Sequence, residues 1–266
     1  MNRDKLDFGN GQIGALFRAL FLPTLIGMVF NSALNICDGM FVGHSVGSNA
    51  LAAVNIVVPV FLLCTGIGLM FGIGSSVICS IRLAENNVKA ARIIMTQAFV
   101  AGIILFGGFV VFALIFTPQL LTVLGCSEIL YDDASDYLLW LLPGMMFLYF
   151  ECIGMMLMRL DGSPRYAMMV QIIAAVLNIF LDWLLVWHWC MGVAGAAIAT
   201  VTGQAVGMCV AIFMFFRKEH EVKIQLKGFK IDWAVVKDIY GVGLPSIIMQ
   251  AIGSVMLLGY NAILAT

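Results

Sequence analysis

Seven stretches of this chain are each long and apolar enough to cross a lipid bilayer, and short polar or Gly/Pro-containing connections join most of them. The expected spans are Ala15–Asp38, Ala52–Val77, Ile93–Phe116, Tyr137–Met158, Ala167–Trp187, Val193–Phe216 and Ile239–Ile263. A helix needs about 20 apolar residues to cross the hydrocarbon core. Inside that core the backbone must satisfy its own hydrogen bonds, which restricts each stretch to helix. The expected fold class is therefore an all-α polytopic membrane protein. Composition agrees: 62% of residues are hydrophobic and 11% charged, against about 25% charged in soluble domains. The net charge of -1 provides no pull toward nucleic acid.

The cationic residues orient the bundle. Arg3, Lys5 and Arg18 flank the start; Arg82, Lys89 and Arg92 fall between segments two and three; Arg159 and Arg165 between four and five. Arg217, Lys218, Lys223, Lys227, Lys230 and Lys237 fall between six and seven. The alternate loops carry none. The positive-inside rule then places the N-terminus and the basic loops in the cytoplasm of a cell (inner) membrane protein.

A repeat is visible. Leu22-Pro23-Thr24 in the first segment matches Leu244-Pro245-Ser246 in the seventh, and both follow a basic stretch. An offset of six segments between matches of the same direction implies parallel repeats. The expected organisation is a six-helix N-terminal lobe over residues 1–216, a basic linker over 217–238, and the first helix of an incomplete second lobe over 239–266. The seventh helix would then lie unpartnered against lipid, awaiting a missing C-terminal lobe.

Ionisable groups at membrane depth cost about 2.5–3.5 kcal/mol even on a lenient scale, so they mark function. Asp38 and Asp182 are such groups. Asn31, Asn35 and Asp38 share one helical stripe, as do Gln171, Asn178 and Asp182. Thr200 and Gln204 lie one turn apart in a Gly/Ala-rich segment whose small residues permit close helix approach. The expectation is that all three stripes turn inward onto one site, although amides taken singly also serve as interhelical glue. Two carboxylates sharing a dehydrated site cannot both ionise cheaply. With the oxygens of Asn178 and Thr200 they suit a proton or Na+, so Asp38, Asn178 and Asp182 are also candidate Na+ ligands. Pro23 removes a backbone hydrogen bond and is the candidate kink or gate of the first helix. Glu151, a third intramembrane acid, receives no assignment.

The runs Asn35-Ile36-Cys37-Asp38-Gly39-Met40-Phe41-Val42-Gly43-His44, Gly72-Ile73-Gly74-Ser75-Ser76, Asn178-Ile179-Phe180-Leu181-Asp182-Trp183 and Gly192-Val193-Ala194-Gly195-Ala196-Ala197-Ile198-Ala199-Thr200 carry a resemblance. In order and spacing they resemble the N-terminal lobe of a multidrug and toxic compound extrusion (MATE) transporter, in the branch of the DNA-damage-inducible type. The resemblance implies a six-helix lobe and a secondary antiporter. Such a protein, seated in the lipid bilayer, exports organic cations or similar amphiphiles in exchange for H+ or Na+, with no other cofactor. It also implies a cation site at Asp38, Asn178, Asp182 and Thr200. A second branch places Asn at the position of Asp182 and Glu near Gln250, and this chain departs from it at both.

Other readings remain. A lipid-linked oligosaccharide flippase would line its cavity with arginines, and none lies deep within a segment here. An enzyme is not indicated: there is no HExxH, no Ser/His/Asp setting and no phosphate loop. The seven cysteines show no metal or CxxC spacing. A non-transporting membrane fragment explains the helices but not the paired aspartates. Methionines such as Met145, Met155 and Met158 suit either an adaptable substrate surface or plain core filling.

Overall fold

The structure is a computed structural model that describes residues 12–160, 162–217 and 232–264. Arg3, Lys5, Asp161 and most of the expected 217–238 linker lie outside the described residues. The elements are α1 (Ile13–Ser45), α2 (Ser48–Ala84), α3 (Val88–Ile115), α4 (Thr117–Val123), α5 (Tyr131–Leu160), α6 (Pro164–Asp182), α7 (Gly192–Arg217) and α8 (Trp233–Leu264). A π-helical turn over Trp183–His188 continues α6. Among the described residues there is no strand.

All seven expected spans are helices, of 25 to 37 residues with the π turn counted into the fifth. Each outruns its apolar stretch, because hydropathy marks the part in hydrocarbon whereas the hydrogen-bond ladder continues beyond it. Helix ends follow local chemistry. The Asn87 side chain accepts from Ala90 N at 3.0 Å to cap α3. Asp132 and Asp133 sit in the first turn of α5, where the helix dipole favours acids. Pro164 opens α6, a position where its missing N–H costs nothing. Gly47, at φ +119°, makes the tight link from α1 to α2. Two features were not expected. The short α4 fills a region read as loop, and the π turn interrupts what hydropathy reads as one span.

α2 and α5 form the centre, flanked by α3 on one side and α7 on the other, with α6 and then α1 beyond α7. Small residues set these seams. A Cβ at Gly68 would meet Cys152 Sγ at 3.3 Å, and one at Gly72 would meet the Cys152 carbonyl at 3.3 Å. Tyr149, fully buried, sets its ring tilted against Phe106 (5.4 Å) and edge-on to Phe71 (6.1 Å). Its hydroxyl donates to the Ala98 carbonyl on α3 at 2.8 Å, over a gap that Gly102 leaves open. Met145, Met155 and Met158 are core residues, which favours the filling role over a substrate surface.

α8 corrects the expectation of an unpartnered seventh helix. It lies along α2, where Gly66 faces Gln250 and Ile247, Gly74 faces the Ile239 carbonyl, and Gly243 faces the Met70 carbonyl. Ser254 Oγ donates to the Pro59 carbonyl at 3.1 Å, tying α8 to α2. The opposite face of α8, including Met249, Ile252 and Val255, stays exposed.

Candidate functional site

The polar residues of α1, α6 and α7 meet in the half of the bundle away from the basic helix ends. On α6, Asn178 and Asp182 lie one turn apart and are 2% and 0% exposed. α7 approaches through Gly203: a Cβ there would lie 3.2 Å from the Ala174 carbonyl and 3.2 Å from Asn178 Cβ. That close approach brings Thr200 to Asn178. With its amide oriented to suit both neighbours, Asn178 Nδ2 donates to Asp182 Oδ2 at 3.0 Å and Oδ1 accepts from Thr200 N at 3.0 Å. Turned over, the amide instead donates to Thr200 Oγ1 at 3.3 Å. In either orientation Asn178 links the two helices.

α1 supplies Asp38, close enough for its charge to act on Asp182. Oδ1 of Asp38 and Oδ1 of Asp182 are both buried without a hydrogen-bond donor among the described residues. Buried acceptors left unpaired are costly. Two of them on carboxylates in one place are what a proton, or a hard monovalent cation, satisfies. Among the described residues no cluster of three His, Cys, Asp or Glu could hold a transition metal.

Tyr137 of α5 also belongs here. It is 6% exposed, and its hydroxyl lies beside Thr200 within the field of both aspartates. The sequence reading used Tyr137 only as a segment boundary. Its heptad spacing to Gly144 and Glu151 was the one signal that it faces a neighbour helix.

The supporting residues divide. Gln204 is buried on α7, one turn beyond Thr200, and its Oε1 has no partner. Gln171 on α6 lays its amide over Gly27 of α1, and Pro23, buried one turn earlier, sits at the same crossing. Thr24 Oγ1 donates to the Leu20 carbonyl at 2.9 Å beside that proline. Asn31 and Asn35 stay exposed on α1, so the structure does not bring them into the buried set. The π turn starts directly after Asp182. It aims Trp187 at α1, stacked on His44 (5.3 Å) and edge-on to Phe41 (6.4 Å). π turns recur beside functional sites because they re-aim side chains. His44 is thus part of the α1–π-turn contact.

Comparison with known proteins bears on the family and the fold. The MatE family model matches residues 23–184, more than half of the chain, including Asp38, Asn178 and Asp182. The multidrug export protein MepA of Staphylococcus aureus (strain MRSA252) is 25% identical over 238 residues, covering 88% of this chain and 53% of the relative. MepA of Staphylococcus saprophyticus is 27% identical over 245 residues, covering 92% and 54%. A crystal structure of MATE in complex with MaD3S superposes with a TM-score of 0.84 at 28% identity, over 90% of this chain and 54% of that one. The chain thus spans about half the length of the relatives it matches. On the family model and these relatives together, the chain belongs to the MatE family of multidrug efflux transporters.

Proposed function

We propose that this chain is the ion-coupling lobe of a secondary antiporter that exports organic cations or similar amphiphiles in exchange for H+ or Na+. One observation carries the reading: carboxylates from two different helices, Asp38 and Asp182, converge with Asn178, Thr200 and Tyr137, each keeping a buried oxygen without a donor. Such a cluster trades one cation for another at low cost. Its loading state changes the charge between α1 and α6, and α1 can respond because Pro23 weakens its ladder at the same crossing. The acidic character of the site supports a cationic cargo over an anionic lipid-linked saccharide. The relatives are about twice as long, so the cleft is completed by a second lobe. The basic helix ends support an inner-membrane orientation with the N-terminus in the cytoplasm.

The test replaces one charge at a time. Asp38→Asn and Asp182→Asn, made in the complete transporter, abolish ion-driven efflux of a cationic dye from loaded cells. Membrane levels hold, since an amide is cheaper to bury than a carboxylate. Wild-type efflux in both variants would sink the assignment.

A further inference from the structure

Glu151 is a buried acid that the cation site does not use. It is 7% exposed on α5, and none of the hydrogen bonds or ion pairs among the described residues involves it. Its carboxylate fills the notch at Gly207 of α7: a Cβ there would lie 2.9 Å from both Cδ and Oε1. The α5–α7 seam is parallel, as Gly144 against Val201 and Gly154 against Ala211 show. Along it, the seven residues from Thr200 to Gly207 place Glu151 about 10 Å nearer the basic end of the bundle than the Asp38–Asp182 site. Between the two lies Gln204, nine-tenths buried, with its Oε1 unpartnered. Beyond Glu151 a separate apolar cluster of Met155, Met158, Ala167, Val170 and Ala211 closes α5, α6 and α7 against the loops.

The position separates three readings. A structural ion pair needs a cation, and Glu151 has none among the described residues; Arg159, two turns on, lies beyond the apolar cluster's first methionine. A substrate counter-ion needs room for a bulky ligand, and this carboxylate is wedged against backbone. A proton needs neither. We propose that Glu151 is a second proton-binding site of the lobe, an inner station on the α5–α7 seam between the Asp38–Asp182 site and the basic helix ends. The proposal rests on the cation-coupling reading above. The groups near Glu151 are few: Gly207 and Gln204 from α7 do not titrate, Cys152 adjoins it on α5, and Arg159 stands at the end of the same helix. α6 contributes Tyr166 beside the apolar cluster and Arg165 before it. α2 meets the neighbouring face of α5 through Gly68 and Gly72, which carry no charge. When the station loads, a proton arriving from water adds to a carboxylate oxygen; on release the O–H bond breaks and the proton returns to water.

The test counts protons on the purified full chain in detergent micelles. Exposed carboxylates load below about pH 5. Between pH 9 and pH 5.5, wild type therefore takes up one proton more than Glu151→Gln, and Glu151→Asp restores it. Equal uptake by wild type and Glu151→Gln overturns the proposal. If Glu151→Gln fails to fold, dicyclohexylcarbodiimide decides on the wild type, because it modifies protonated carboxyls in apolar surroundings. Modification of Glu151 at neutral pH, falling at least fivefold in Gly207→Ala, supports the station, and an unmodified Glu151 overturns it. Asp182→Asn is counted in parallel. A proton lost on Glu151→Gln but none on Asp182→Asn or Asp38→Asn would remove proton binding, though not Na+ binding, from the outer site while this one stands; the reverse would sink this one alone.

Discussion

The contact between Gly144 and Val201 sets how closely α5 approaches α7, and therefore whether Tyr137 reaches Thr200. A Cβ on residue 144 would lie 2.6 Å from Val201 Cγ1 and 2.8 Å from Val201 Cβ. Optimal carbon contacts are about 3.5–4.0 Å, so Gly144→Ala requires a separation of roughly 1 Å. Val201 cannot rotate away, because a β-branched side chain in a helix has one strongly preferred rotamer. Overpacking of this kind costs about 1–3 kcal/mol, and the absence of slack puts it near the top. Alanine regains about 1 kcal/mol of helix propensity, leaving a net loss of about 2 kcal/mol. Val201→Ala alone deletes two methyls from a half-buried site and costs about 1 kcal/mol. The double variant loses both Cγ contacts and keeps the Cβ–Cβ approach of 2.8 Å, which a separation of roughly 0.7 Å relieves. It should therefore recover part of the loss, with a coupling of about 1 kcal/mol or more in a double-mutant cycle. Unfolding in mixed detergent micelles, followed by helical circular dichroism, measures the four stabilities. If Gly144→Ala is as stable as wild type, or Val201→Ala fails to rescue it, the seam is not the tight contact described here.

Tyr149→Phe removes the bond to the Ala98 carbonyl and should cost about 1 kcal/mol in the same unfolding assay; a loss beyond about 3 kcal/mol would mean the hydroxyl does more than tie α5 to α3. Tyr137→Phe should fold normally yet slow ion-driven efflux in the complete transporter, because Thr200 and the two carboxylates lose their shared hydroxyl; an unchanged rate would remove Tyr137 from the site. Single cysteines at Ser48 and Met191 in a Cys-free background should label with an impermeant maleimide from outside, and cysteines at Glu85 and Asn86 should not. The opposite pattern would invert the bundle.

The helices were legible because lipid leaves the backbone few choices, so twenty apolar residues are nearly sufficient evidence for a span. What hydropathy does not encode is how a helix ends or where its hydrogen-bond pattern shifts. The π turn after Asp182 replaces one apolar stretch with another of equal hydropathy. Only the bulky pair Trp183 and Trp187 hints that the turn is wider there. The fate of α8 was hidden for a different reason. Its partner face on α2 is built from glycines, Gly66 and Gly74, and their role is to be absent, which a count of apolar residues reads as nothing.

The cation site shows the same division between cost and geometry. Asp38 and Asp182 stood out because a carboxylate in hydrocarbon is expensive, and expense survives in the sequence without any coordinates. Asn31 and Asn35 lie on a stripe with Asp38 as good as that of Asn178 with Asp182, yet only the second pair is buried together. A stripe states which residues share a face, and the neighbour decides whether that face is covered. For α6 the neighbour is α7, drawn in by Gly203. For α1 it is α6 at Gly27 and the π turn at His44, two contacts that leave Asn31 and Asn35 uncovered between them. Tyr137 reverses the case: a phenol is cheap to bury, so only its heptad spacing to Gly144 and Glu151 flags it, and only the parallel packing of α5 on α7 brings its hydroxyl to Thr200. Residues whose burial is costly announce a site from sequence, whereas those that complete it inexpensively become visible only when the helices are packed.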